Sequence, residues 1–130
     1  MTRRQAREEA FILIFEKAFN DISTTEILEI AAEARDLIPD EYIEKVFVGV
    51  FDNIEAIDDL ISKNAVGWKI ERISKTALSI LRLAIYEIKF YGEIPESVSI
   101  NEAVELSKKY ATSADASFVN GILSTIVKDK

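Results

Sequence analysis

Apolar side chains recur every three or four residues along nearly the whole of this 130-residue chain, and no useful length alternates every second residue. That spacing collects them on one stripe of an α-helix and would scatter them over both faces of a strand. The chain is therefore committed to helices packed on helices. Its longest run lies between Asp40 and Lys63, where Ile43, Val46, Phe47, Val50, Phe51, Ile54, Ile57, Leu60 and Ile61 keep the period. The pattern predicts one helix of about six turns there. Gly49 within it costs about 1 kcal/mol against alanine, so it points to a close helix crossing.

Start and stop signals divide the remainder. Thr2-Arg3-Arg4-Gln5 fits a capping box opening a helix to about Phe19, with Ala6, Ala10, Leu13, Ile14 and Phe15 at helical spacing. Ser23-Thr24-Thr25-Glu26 opens a second, whose apolar side is Ile27, Ile30, Ala31, Ala34 and Leu37. Gly67–Ile73 reads as a turn or short helical piece, and Ser74 caps a helix through Tyr91 that Gly92 closes. A third box, Ser99 to Glu102, predicts a start at about Ile100, with Val98 stapling onto Ala103. The last helix spans about Ala114 to Val127 and turns Phe118, Val119, Ile122, Leu123 and Ile126 to one face. The expectation is an all-α fold of about seven helices forming a single domain over residues 1–130.

The types of residue present narrow the chemistry. There is no cysteine and no histidine, which removes disulfides, thiolate metal sites and the side chain best suited to move protons near neutral pH. No glycine-rich phosphate loop appears. Carboxylate neighbours such as Glu8/Glu9 and Asp58/Asp59 point about 100° apart on a helix and define no pocket. A binding module is expected rather than an enzyme, with no cofactor and no metal. The basic start leads into an apolar run broken by Glu16, Lys17 and Asn20, which is neither a secretory signal nor a membrane span and points to the cytoplasm. Net charge is −7, so the +3 carried by Arg3, Arg4 and Arg7 leaves −10 for the rest. A basic spot on an acidic body can localise binding.

Several charged and aromatic residues have both a plain and a functional reading. The three N-terminal arginines oppose the positive end of their helix dipole, as either a ligand site or a frayed, solvated end would allow. Asp52, Glu55, Asp58 and Asp59 form a face that reads as solvated in preference to metal-binding. Trp68 reads as an anchor closing the core in preference to a base-stacking platform. Arg82 and Glu87, set among apolar turns, read as charges paired at the rim of the core.

Four pieces of sequence, in order and spread over essentially the whole chain, together carry a resemblance. They are the arginine-rich opening with Ala6-Arg7-Glu8, the segment Trp68–Ile73, the segment Ile80–Glu87, and Ser99–Leu106 followed by Phe118–Leu123. The chain resembles the NusB family of bacterial transcription antitermination factors. The resemblance implies a seven-helix fold of two packed helical subdomains. It also implies joint binding, with the ribosomal protein NusE, of boxA-type RNA from ribosomal RNA leaders, within an RNA polymerase antitermination complex. By the same resemblance Arg3, Arg4 and Arg7 contact RNA with Ser117 and Phe118 beside them, the Asp115–Asn120 corner lying next to the arginines. Phe15 and Glu71 then face NusE. The chain departs from the family at Ala77, where an acid meets NusE, and at Ser117, where some members have lysine.

Guanidinium groups suit phosphates and stack on splayed bases. Three such contacts to a single strand imply a slope of log affinity on log salt near −2, about −0.7 apiece. Two other readings compete. One is a protein–protein adapter or homodimer that binds no RNA. The other is a stand-alone relative of the N-terminal domain of ribosomal RNA cytosine methyltransferases, which needs a downstream cofactor domain beyond Lys130.

Overall fold

Five helices begin where a short polar side chain takes an amide that the helix itself cannot satisfy. The Thr2 hydroxyl accepts from the Gln5 amide at 3.1 Å while the Gln5 side chain accepts from the Thr2 amide at 2.8 Å. Ser23, Asp40 and Ser74 accept from the amides of Glu26, Ile43 and Ala77. In the computed structural model, which describes residues 1–128, these caps start α1 (Arg3–Lys17), α2 (Thr24–Arg35), α3 (Glu41–Asp52) and α5 (Lys75–Tyr86). The Thr112 hydroxyl likewise accepts from the Asp115 amide at 3.0 Å to start α7 (Ser113–Lys128). The others are α4 (Ile54–Asn64) and α6 (Glu96–Tyr110), with a 3-10 turn over Ile70–Arg72 and a π-helical turn over Glu87–Tyr91. The described residues hold seven α-helices and no strand, as the period predicts.

Two packed helical subdomains, α1–α3 and α4–α7, meet along α5, which touches α1, α3, α4, α6 and α7. Ile80, Leu81, Leu83 and Ile85 on α5 are fully buried with Leu13 and Ile14 of α1 and Phe47 of α3. Each such side chain removed from water stabilises the fold by about 1.5–3 kcal/mol. The crossing expected at Gly49 is present: a Cβ there would lie 2.4 Å from the Tyr86 ring of α5. After Tyr86 the helix widens, the Gly92 amide reaching back five residues to the Glu87 carbonyl at 3.2 Å. Gly92 then turns left-handed at φ 73° and ends it.

Three expectations are corrected. The Asp40–Lys63 stripe is two helices, because Asn53 leaves helical geometry (φ −118°, ψ 21°) and both its backbone and side-chain amides bond to the Gly49 carbonyl. The apolar period runs through that joint unbroken, which is why the pattern hides it. The Ser99 box is also absent. α6 starts a turn earlier behind Pro95, the Ser99 hydroxyl donates to Glu87, and the Glu102 carboxylate faces α1. Trp68 does not close the core; it is 56% exposed and meets Phe118 edge-on, ring centres 6.0 Å apart.

Candidate nucleic-acid interface

The capping box on α1 sets the phase of its first turns, which puts three closely spaced arginines on one face, and depth along the helix divides them. Arg3 and Arg4, in the first turn, are exposed; Arg7, one turn on, is 4% exposed. A buried guanidinium needs a full set of partners, because leaving it unpaired costs several kcal/mol. Glu87 at the head of the π turn is the main one, its Oε2 accepting from Arg7 Nε at 2.8 Å and also from the Tyr42 hydroxyl of α3. Its Oε1 accepts from the Ser99 hydroxyl of α6 at 2.7 Å. Four elements are thus joined at one carboxylate.

This knot holds its protons and charges firmly. Burial works against the Arg7 charge, but the hydrogen bond and negative charge of Glu87 outweigh it and raise the Arg7 pKa. Burial, followed by the charge and hydrogen bond of Glu87, drives the Tyr42 hydroxyl far above the ordinary tyrosine range, against the lesser pull of Arg7 and Arg3. Glu87 is therefore deep in the core, 1% exposed, and not at its rim. Arg82 is at the rim, donating through Nε and Nη2 to the two oxygens of Asp58 at 2.9 Å each. That pairing removes Asp58 from the face read as merely solvated.

On the outer side, the Arg3 guanidinium lies 4.3 Å above the Tyr42 ring and donates to the Tyr91 hydroxyl at 3.3 Å. A cation over an aromatic face is held by the ring quadrupole with its edges still open to a ligand. Arg4 donates through Nε and Nη2 to Glu102, the shortest contact being 3.0 Å. The hydrogen bond to Glu102, then the charge of that carboxylate, raises the Arg4 pKa. Further along the same seam Lys109 donates to Glu8 at 2.8 Å, joined by the Tyr110 hydroxyl. The bond from Lys109, then that from Tyr110, holds the Glu8 carboxyl below its usual value.

The remaining expected residues are spread over the surface. Ser117 is exposed in an open groove of about 630 Å³ between α6 and α7, with Asn101, Lys108 and Asn120. Phe118 points to the opposite flank of α7, against Trp68. Among the described residues no hydrogen bond, ion pair or ring contact joins Arg3, Arg4 or Arg7 to Ser117 or Phe118. The Asp115–Asn120 corner borders α6 through that groove, with no described contact to the arginines. Arg7 is likewise not a surface contact; its position is interior. Phe15 is half-buried between Phe11 and Phe19, at 6.1 and 4.9 Å. It lines a groove of about 340 Å³ with the exposed Phe19 and Ile30. Glu71 is exposed on the 3-10 turn, away from Phe15, and Ala77 is buried. Sequence reasoning missed Tyr42, Tyr91 and Glu102 as partners of the arginines. A usable signal was Glu87 itself, a lone charge inside an apolar run.

No described residues form a group of three possible metal ligands, and no described helix is long and apolar enough to cross a membrane. The molecule belongs to the class of two-part helical modules with a cationic corner at the chain's start. Residues 4–128 match the model of the NusB family, and the chain belongs to that family. It is 46% identical to the transcription antitermination protein NusB of Natranaerobius thermophilus, over 97% of this chain and 94% of that one. To the same protein of Clostridium botulinum it is 39% identical, over 98% and 100%. A crystal structure of antitermination factors NusB and NusE in complex with double-stranded RNA superposes with a TM-score of 0.87 at 28% identity, covering both chains completely. NusB of T. maritima superposes at 0.86 with 36% identity, over 99% of this chain and 92% of that one. The relatives are transcription antitermination factors, and the family membership that the sequence pieces implied is established over nearly the full length.

Proposed function

We propose that this protein binds boxA-type single-stranded RNA of ribosomal RNA leader transcripts jointly with the ribosomal protein NusE, as part of an RNA polymerase antitermination complex. The observation that carries the reading is the full-length likeness to the NusB of a NusB–NusE–RNA complex, in a chain whose first helix presents two outward arginines. Arg3 and Arg4 take phosphates and stack on bases; Ser117 and Phe118 receive the strand after it has crossed α6. A helix is about 10–12 Å across with its side chains, a span an extended strand covers readily. Arg7 contributes by fixing α1, not by touching RNA.

The NusE side is assigned to the Phe15 groove, where exposed Phe19 and Ile30 offer apolar surface, with Glu71 as a more distant polar contact. With Ala77 buried, the acid that the family uses there has no counterpart at that position. Two outward arginines give a weak electrostatic hold, which suits a protein that binds RNA well only with a partner. The test is titration of a short boxA-type RNA by mobility shift, with and without NusE. NusE is expected to tighten binding at least tenfold; no tightening removes this reading and leaves the adapter or homodimer.

A further inference from the structure

Arg4 is an exposed member of the groups proposed to meet RNA, yet its guanidinium is already engaged. Its side chain is 70% exposed while that of Glu102 is 14% exposed, so the arginine is the member able to leave and the carboxylate is the member that stays. A departing Arg4 does not strand the carboxylate. Arg7 Nη1 lies 4.0 Å from Glu102 Oε2, and its own side chain is 4% exposed. Arg7 itself is fixed through its Nε to Glu87, so it waits in place with one end of its fork near Glu102. The three groups make a relay: an outer cation on a movable bond, a mostly buried acid and a fixed inner cation.

We infer that Glu102 is a built-in competitor for the RNA phosphate at Arg4, lowering affinity by holding the arginine until a phosphate displaces it, whereupon Arg7 takes over the neutralisation of Glu102. This rests on the reading of Arg4 as an RNA contact. An exposed ion pair is a weak restraint, which suits a bond that must yield to a ligand. Its direction is nonetheless definite. Each phosphate contact at Arg4 is made against a carboxylate that would otherwise occupy the same guanidinium edge, and that carboxylate then remains near the bound polyanion. Removing its charge should strengthen RNA binding, the opposite of the usual effect of altering an interface residue.

The experiment is RNA titration of the full chain with NusE at low salt. Glu102→Gln is expected to tighten binding of the boxA-type RNA about threefold to tenfold and to steepen the salt slope by up to about 0.7. Glu102→Asp, which keeps the charge beside Arg7 but withdraws it from Arg4, is expected to tighten binding to a lesser degree. Placed on Arg4→Ala, Glu102→Gln should change affinity by less than about twofold. Glu55→Gln, which removes one exposed charge on α4, should do the same in the unaltered chain. Unchanged or weaker binding by both Glu102 variants overturns the inference, as does equal tightening with and without Arg4, which marks a general charge effect. If the unaltered chain binds no RNA even with NusE, the RNA reading fails and this inference with it. Binding that ignores Glu102 sinks the inference alone.

Discussion

The inner and outer arginines of α1 are the same residue type within two helical turns, and they do opposite work. Arg7 is enclosed by Glu87, with Tyr42 and Ser99 sharing that carboxylate, and has no surface to offer. Arg3 and Arg4 lie on the same face of the helix one turn nearer its start, held by an aromatic face and an exposed ion pair that water can enter. The contrast shows that counting arginines does not count phosphate contacts. One residue of the three ties α1, through Glu87, to α3, α6 and the π turn after α5, and this frees the other two to be aimed. It also explains how a first turn of arginines persists against the helix dipole: the knot and the Thr2 box anchor what the dipole disfavours.

The sharpest way to break the comparison is to remove the inner member. Arg7→Ala leaves Glu87 buried without its cation, and loss of one partner from a buried ion pair costs about 3–5 kcal/mol. Urea unfolding should show that loss, with RNA binding falling only as far as α1 detaches. A change below about 1 kcal/mol would mean that Tyr42 and Ser99 satisfy the carboxylate unaided. The outer pair should behave in reverse. Arg3→Ala/Arg4→Ala should leave the urea midpoint within about 0.5 kcal/mol of unfolding free energy, as surface changes do. RNA affinity should fall about tenfold and the salt slope flatten by up to about 1.4, two contacts at about 0.7 each. NusE binding should be unaffected. Parallel loss of NusE and RNA binding would show that the two surfaces are not separate.

A smaller effect tests whether the knot is held by hydrogen bonds as well as by charge. Tyr42→Phe removes one donor to Glu87 and should destabilise by about 1–3 kcal/mol at neutral pH. The pH dependence supplies an independent check. Burial and Glu87 raise the Tyr42 pKa, so the folded state holds this proton more tightly than the unfolded one. The contribution is complete below the ordinary tyrosine value of about 10 and declines as pH rises past it. Urea midpoints between about pH 9 and 11 should therefore fall more steeply in the unaltered protein than in Tyr42→Phe. Identical slopes would place Tyr42 outside the coupling.

Local chemistry was legible and tertiary competition was not. The caps at Thr2, Ser23 and Ser74, the stop at Gly92 and the crossing at Gly49 are each decided within a few residues or by one missing Cβ, and the sequence states them directly. Ser99 and Glu102 have the spacing of a capping box, but partners distant in the chain, Glu87 and Arg4, claim both side chains. Asn53 breaks a helix without disturbing its apolar period. At the candidate site, the arginines were visible as a cluster. Which of them is buried depends on how far along α1 the helix meets Glu87, a relation that no local pattern encodes.

Trp68 gives the smallest expected effect on stability and extends the contrast to the other end of the proposed RNA path. The sequence reading made it an inner residue, an anchor; the structure makes it an outer one, touching Phe118 by its edge across a small cleft that also includes Arg72 and Asp115. An anchor cut to alanine costs about 3–5 kcal/mol, the range for a large aromatic deleted from a core. With over half its surface already in water, Trp68→Ala should cost about 1 kcal/mol or less, mainly the edge contact to Phe118. Urea unfolding decides between these sizes without any ligand. A loss above about 3 kcal/mol would show that the segment before α5 closes the core after all. A loss under about 1 kcal/mol leaves Trp68 and Phe118 as an aromatic surface that the fold does not require, resembling Arg3 and Arg4 in this respect and unlike Arg7.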